Sequence, residues 1–284
     1  MNITLKFFLS SVIFGTIGLF LHFTNIEGVF VVLCRGVIGC LFILLVLFIK
    51  KEKFELDVIK KNFKTLAISG ISLGINWIFL FNGYKYAVAI TSLCNYTAPI
   101  MILVISAILY KEKINKQQFF CILLSFIGIV FVSGLFDETS SADPRAFIFG
   151  LVAALGFVML VLCNRKLADV KPLQKSVIQL AFSTITVLPY VLIAKEIPNV
   201  ITTQDIIVII SLGIIHTGIA YILYFDSVDT LPVIQVVILG YIEPVLMFLT
   251  GAVILGESVS IFSVLGAILI LGSACYNEIK AVKQ

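Results

Sequence analysis

Charge is what this chain has least of. Charged residues make up 13% of its 284, where a soluble domain carries about a quarter, so it could not cover a water-facing surface. Hydrophobic residues make up 60%, and the mean hydropathy is +1.14. An ordinary soluble enzyme or binding module is excluded, and a membrane protein with most of its length in the bilayer is indicated. Histidine is almost absent: His22 and His216 cannot build a metalloprotease site, and no HExxH occurs. No GxxxxGK[ST] loop is present to suggest ATP hydrolysis, and no GxSxG elbow to suggest a serine hydrolase. Cys34, Cys40, Cys94, Cys121, Cys163 and Cys275 all lie in apolar runs without CxxC or Cys/His spacing. They read as packing residues and not as disulfides or metal ligands. No cofactor and no metal are expected, and a scattered net charge of +4 gives no reason to expect nucleic acid.

What is there is a succession of long apolar runs. A membrane span needs about 20 apolar residues. By that measure the chain holds ten, at roughly 5–23, 29–49, 65–83, 87–110, 117–136, 146–163, 174–194, 205–225, 231–255 and 259–278. The runs are too long for barrel strands and lack their alternation, and without water to bond backbone groups only helices remain. The N-terminal MNITLKFFLSSVIFGTIGLFLHF has no A-x-A cleavage signal after its apolar part, so it reads as the first span. KKEKFELDVIKKNFK, between spans two and three, and DETSSADPR, between five and six, are the longest polar linkers. They leave no room for a soluble domain.

Basic residues set the orientation. With the N-terminus in the cytoplasm, the inner side receives Lys6, the lysines between Lys50 and Lys64, Lys111, Lys113, Lys116, Arg165, Lys166, Lys171, Lys175, Lys280 and Lys283. The outer side receives only Lys85, Arg145 and Lys195. Both termini are therefore expected in the cytoplasm.

A repeat runs through the chain. In NYTAPIMILVISAILYKEK, Tyr96 and Pro99 precede Glu112; in GYIEPVLMFLTGAVILGES, Tyr241 and Pro244 precede Glu257, each 145 residues on. The chain thus divides into two five-helix halves, 1–136 and 146–284. An odd number of spans per half makes the second enter the membrane in the opposite sense, the inverted arrangement of secondary transporters. The expected architecture is an all-α integral membrane protein of ten transmembrane helices in two inverted repeats. Pro99 and Pro244 are its helix breaks or hinges, since proline leaves the carbonyl four residues earlier without a partner.

Polar residues inside spans mark where chemistry could sit. Glu243 lies at the centre of span nine, where it could take a substrate amine, a cation or a coupling proton. The plainer alternative is a structural carboxylate bonded to neighbouring N–H or hydroxyl groups. Its counterpart in span four is Ala98, so that half offers only Asn95, Tyr96 and Thr97, which bond without demanding neutralisation. A lightly charged cavity of that kind favours small neutral or zwitterionic solutes. His216 and Tyr221 in span eight, and Asn76 and Trp77 in span three, complete the candidates. His216 could relay protons to Glu243 or simply pack. Arg35 could pair with Glu243 or an anionic substrate, although snorkelling to the outer surface is the simpler account. Gly36, Gly39, Gly70 and Gly74 would let helices approach closely. Glu112 and Glu257 are expected at helix ends, and Asp226 and Asp229 in a solvated loop.

These features together resemble a known family. NYTAPI and YIEPV, each with a glutamate thirteen residues after the proline, and HTGIAYILYF followed by LPVIQVVILGYIEPVLMFLTGAVILGE, are similar to the EamA-type branch of the drug/metabolite transporter superfamily. The resemblance covers essentially the whole chain, with Cys121 standing where the second copy has Gly266. It implies a basket-like bundle in which spans three, four, eight and nine line a central cavity, with substrate-binding candidates Asn76, Trp77, Asn95, Tyr96, His216, Tyr221, Tyr241 and Glu243. It also implies export of a small polar, amino acid-like metabolite by alternating access, with H+ as a candidate coupling ion and membrane lipid as surroundings. No obligate protein partner is evident. The excess of lysine over arginine fits a bacterial source, and so a multi-pass protein of the inner (plasma) membrane. An uncoupled facilitator or channel is the alternative, and an intramembrane enzyme using Glu243 and His216 a more distant one.

Overall fold

The computed structural model describes residues 2–86, 88–110, 116–132, 143–228, 230–254 and 260–281. Every regular element among them is helical. The first segment is α1 (Ile3–Gly15) and α2 (Ile17–His22), then α3 (Gly28–Ile49) and α4 (Leu56–Tyr84). Next come α5 (Val88–Asn95), α6 (Ala98–Tyr110), α7 (Lys116–Val132), α8 (Pro144–Arg165) and α9 (Pro172–Ala194). A long helix then runs as α10 (Thr203–Ser211), a π-helical segment (Leu212–Ile219) and α11 (Ala220–Val228). α12 (Val233–Gly240), α13 (Ile242–Ile254) and α14 (Ile261–Ala281) complete the chain. Among the described residues six helical runs are long and apolar enough to cross a membrane, counting Ile3–His22 and Thr203–Val228 each as one, and Phe119–Phe131, Ile238–Met247 and Val264–Ser273 are shorter apolar stretches.

Local chemistry explains the helix starts. Asn2 and Asp143 accept from the N–H groups of Thr4 and Arg145, and Pro144 occupies a first-turn position where no N–H is needed. Thr202 and Asp205 form a reciprocal capping box ahead of α10. α9 stops differently: Lys195 takes a left-handed conformation, φ 56°, and the N–H of Glu196 bonds back to the Val191 carbonyl at 3.2 Å. That turn brings Glu196 to Lys85 at 2.7 Å, and Lys85 also meets Glu27 at 3.1 Å. The ends of α4 and α9 and the start of α3 are tied together there.

Two helices are interrupted a few residues before a proline. Between α5 and α6 the N–H of Thr97 bonds to the Cys94 carbonyl, and between α12 and α13 that of Tyr241 bonds to Ile238, both three residues back and not four. The carbonyls that lose a partner to Pro99 and Pro244 are those of Asn95 and Gly240, the last residues of α5 and α12. Two irregularities had no warning in hydropathy. α1 and α2 part at Thr16, whose hydroxyl bonds the Ile13 carbonyl at 2.7 Å. The π segment carries Thr217, whose hydroxyl reaches the Leu212 carbonyl five residues back at 3.0 Å.

The structure corrects one expected linker. α4 begins at Leu56, inside the polar stretch read as a loop before span three. Val58 and Ile59 on this extension pack against Leu66, Leu167 and Val170. A hydropathy window finds the bilayer-crossing part of a helix and misses an amphipathic turn that stays outside. Asp226 is likewise not in a loop: it lies in α11 and pairs with Lys6 of α1. Glu112, Glu257 and Asp229 lie outside the described residues.

Packing is set by small residues. α4 lies against α8 and α9, α3 against α9 and the π segment, α1 against α11 and α13, α5 against α8, and α7 against α14. A Cβ on Gly156 of α8 would meet the Ser72 carbonyl of α4 at 2.8 Å and the Asn76 nitrogen at 2.9 Å. Gly70 and Gly74, expected to allow close approach, do so against the Gln179 and Ser183 carbonyls of α9, at 2.7 and 2.9 Å for the same added atom.

Backbone atoms cannot yield as a flexible side chain can. Gly156→Ala should therefore destabilise by about 1–3 kcal/mol through overpacking. Gly272→Ala, with nothing within 4 Å of the new Cβ, should be neutral or slightly stabilising. Thermal unfolding of the two purified variants in detergent checks the pair. Lys195→Gly should raise the midpoint, since a non-glycine residue in the left-handed region costs roughly 1 kcal/mol; an unchanged midpoint would count against strain at that cap.

Candidate functional site

The helix breaks face a common space. A cavity of about 410 Å³ lies between α1, α2, α3, α4, α5, α6, α8, α11, α12 and α13, within the range of small-molecule sites. Asn76, Trp77, Asn95, Tyr96, Tyr221, Tyr241 and Glu243 line it, as does Ala98, the counterpart of Glu243. His216 does not. It is buried in the π segment, with Nε2 3.0 Å from the Thr16 hydroxyl and its ring edge-on to Phe20. Glu243 and His216 thus do not share the cavity. Pro244 is not among the described lining residues; the backbone consequence of the two prolines falls at Asn95 and Gly240, which are.

Several candidates are joined directly. The Asn76 side-chain amide donates to Asn95 Oδ1 at 3.1 Å and to the Ala153 carbonyl at 2.8 Å, which fixes α4, α5 and α8 relative to one another. The Tyr241 hydroxyl donates to the Tyr96 carbonyl at 3.4 Å, and the Tyr96 hydroxyl points to the Met247 sulfur at 3.3 Å. The two breaks therefore touch across the cavity floor, residue against its 145-residue counterpart. Trp77 and Tyr221 meet edge-on at 6.1 Å between centroids. Gly15 of α1 sits so close to α13 that an added Cβ would come 2.9 Å from the Glu243 carbonyl.

Arg35 departs most from expectation. It does not snorkel: it is only 4% exposed and lines the cavity. Its guanidinium carbon lies 4.6 Å from the Trp77 ring centroid and 5.4 Å from that of Phe81, a cation held by two aromatic faces. Its buried Nε has no hydrogen-bond partner, and it makes no ion pair among the described residues. Glu243 also makes no ion pair or hydrogen bond among them. Arg35 and Glu243 lie within each other's electrostatic field, and Tyr84, Tyr96, Tyr221 and Tyr224 all lie within that of Glu243. A lightly charged cavity was expected; the one observed holds a guanidinium and a carboxylate in an aromatic wall.

Other lining residues were not anticipated from sequence. α1 and α2 contribute Phe7, Ser11, Phe14, Gly18 and Leu21, with Ile17 beside them, a set separate from the span-eight tyrosines Tyr221 and Tyr224. The first set recurs at alternating steps of four and three, the signature of one helix face. That spacing could have identified it.

Comparison with known proteins gives these features a context. The model of the EamA-like transporter family matches residues 2–134 and again 144–277. A Bacillus subtilis (strain 168) protein named uncharacterized transporter YxxF is 28% identical over 97% of this chain and 89% of its own length. Uncharacterized transporter YoaV of the same organism is 26% identical over 83% and 82%, and protein PecM of Dickeya dadantii (strain 3937) is 19% identical over 74% and 71%. A crystal structure superposes with a TM-score of 0.81 at 20% identity, covering 96% of this chain and 95% of its own, and shows that the fold is shared. With the family model matching twice along nearly its whole length, this multi-pass membrane protein belongs to the EamA-like transporter family.

Proposed function

We propose that the protein is a secondary active transporter that moves a small polar metabolite out of a bacterial cell across the inner membrane by alternating access. The observation that carries this reading is the cavity itself, floored by two broken helices whose breaks touch at Tyr96 and Tyr241. Irregular backbone inside a bilayer is tolerated where it lines a cavity, and transporters place substrate at such breaks.

The packing supports a two-fold arrangement. Let α1–α2 be segment one, α3 two, α4 three, α5–α6 four and α7 five, with the remaining helices as six to ten. The contacts three–six and one–eight then exchange under the swap of halves, as do three–seven and two–eight, and four–six and one–nine. Two–seven and five–ten map onto themselves. That exchange supports reading the chain as two equivalent five-helix units with ten spans; the distribution of basic residues supports placing both termini on the cytoplasmic side.

Each end of the bundle carries an ionic tie between the halves. Lys6 of α1 pairs with Asp226 of α11, and Lys85 at the end of α4 pairs with Glu196 beyond α9. In the orientation set by the basic residues, the first pair is cytoplasmic and the second external. Alternating access would open one tie while keeping the other. A proton at Glu243 is the candidate coupling event.

Reconstituted vesicles test the reading. Solute uptake without chemical change, accelerated by an imposed pH gradient, is expected, and Glu243→Gln should abolish the acceleration. A chemically modified product would sink the transporter assignment, and flux indifferent to every ion gradient would identify an uncoupled facilitator. Asn76→Ala removes the two bonds that hold Asn95 and α8 in register, and should raise the half-saturation concentration about five- to tenfold, the worth of one or two hydrogen bonds. An unchanged value would remove Asn76 from the binding surface.

A further inference from the structure

The cavity contains two opposite charges that do not satisfy each other. A guanidinium and a carboxylate in a membrane interior are each costly, and each ordinarily finds a partner. Arg35 is held on Trp77 and Phe81, which stabilise the cation but fill none of its N–H positions. Aromatic faces accept charge and leave the edge of the guanidinium free, and that edge is the part that forks onto a carboxylate. Glu243, at the α12–α13 break, lines the same cavity and has no bonded partner among the described residues, and neither does the hydroxyl of Tyr224. The rest of the lining is mostly aromatic and aliphatic, with Phe14, Leu80, Tyr84, Ile102 and Phe157 among others, and includes the neutral polar Ser11, Asn76 and Asn95.

We infer that Arg35 and Glu243 form a two-point site for a small zwitterion, with the ligand's carboxylate on the Arg35 guanidinium, its ammonium on the Glu243 carboxylate, and its apolar body against the aromatic wall. The inference rests on the transporter reading for its purpose, though not for its geometry. A zwitterion neutralises both protein charges at once. A simple amine leaves the guanidinium unpaired, and a simple carboxylate leaves the glutamate unpaired. Each partial ligand is penalised by the buried charge it fails to meet, so the site discriminates as well as binds. Arg35 is thereby a specificity-determining residue that lies outside the Tyr–Pro repeat, on a helix that contributes no other lining residue.

Trp77 makes the test direct. It is the only tryptophan in the chain and stacks on Arg35, so its fluorescence reports on the guanidinium subsite. The purified full chain is titrated with leucine, 3-methylbutylamine and 4-methylpentanoate, and with 5-aminopentanoate, butylamine and pentanoate to cover a wider charge separation. At least one zwitterion should bind roughly ten- to a hundredfold tighter than both of its single-charge analogues. Arg35→Gln should erase the preference over the amine and keep that over the carboxylate; Glu243→Gln should do the reverse. If Arg35→Gln does not give a monodisperse protein, Arg35→Lys serves. It keeps the charge but loses the planar fork, and should weaken the zwitterion while leaving it ahead of the amine. Single-charge analogues binding as tightly as the zwitterions, no saturable response to any of the six, or unchanged preferences in both variants would overturn the proposal. The transporter reading is judged separately on wild-type vesicles loaded with cell metabolite extract. Flux there without zwitterion preference at Trp77 sinks only the site, and charge-selective binding without flux sinks only transport.

Discussion

A backbone carbonyl released inside hydrocarbon must face a cavity or find another donor, and this constraint organises the protein. Pro99 and Pro244 each release one, at Asn95 and Gly240, and the helices break there. Breaks on two different helices are then brought to the same place, where Tyr241 donates to the Tyr96 carbonyl. The cavity gives the released polar backbone a space to face, and Arg35, Trp77, Tyr221 and Glu243 line the same space. Gly15, Gly70, Gly74 and Gly156 do the complementary work, pressing α1, α4, α8 and α9 close enough to enclose that space.

The floor is nearly symmetric and the walls are not. Tyr96 faces Tyr241, and Ala98 and Glu243 occupy corresponding positions on the two broken helices. Asn95, bonded to Asn76, answers Gly240, which has no side chain. Above that floor, α3 supplies Arg35 and α11 supplies Tyr221 and Tyr224. The symmetric parts follow the 145-residue repeat, while Arg35 and Glu243 have no charged counterpart in the other half.

Much of this was legible in the sequence, for identifiable reasons. The 145-residue offset located both breaks, because proline chemistry is local and does not depend on the rest of the fold. Asn76, Trp77, Asn95, Tyr96, Tyr221, Tyr241 and Glu243 were all found by one rule, polarity or aromatic character at mid-depth, and all reach the cavity. The same rule selected His216, which instead faces Thr16 and Phe20, because the π segment adds a residue to the turn and rotates the side chains along it. No hydropathy window sees that. Arg35 was misjudged for another reason. Snorkelling assumes that the aliphatic stem lies along lipid, whereas Gly36 beside it lets α3 press against Thr184 and Trp77. Which side of α3 faces protein is a tertiary fact, and it decides whether the charge reaches the headgroups or the cavity.

That rotation of α3 has a thermodynamic consequence. Burying Arg35 forfeits hydration that an outward-facing arginine would keep, and Trp77 and Phe81 return only part of it. Pairing with Glu243 would return more, and both groups line the same cavity, yet they remain apart. The helices that carry them are seated by the packing of α1 on α13 through Gly15 and of α3 on α9 through Gly36. A site held open against its own internal neutralisation has unspent electrostatic free energy, which a ligand carrying both charges can release. The same free energy is available to closure of the bundle, since the two charges come from different halves and a shared ligand would draw α3 and α13 together. Selectivity and conformational change would then have one origin, the separation of Arg35 from Glu243.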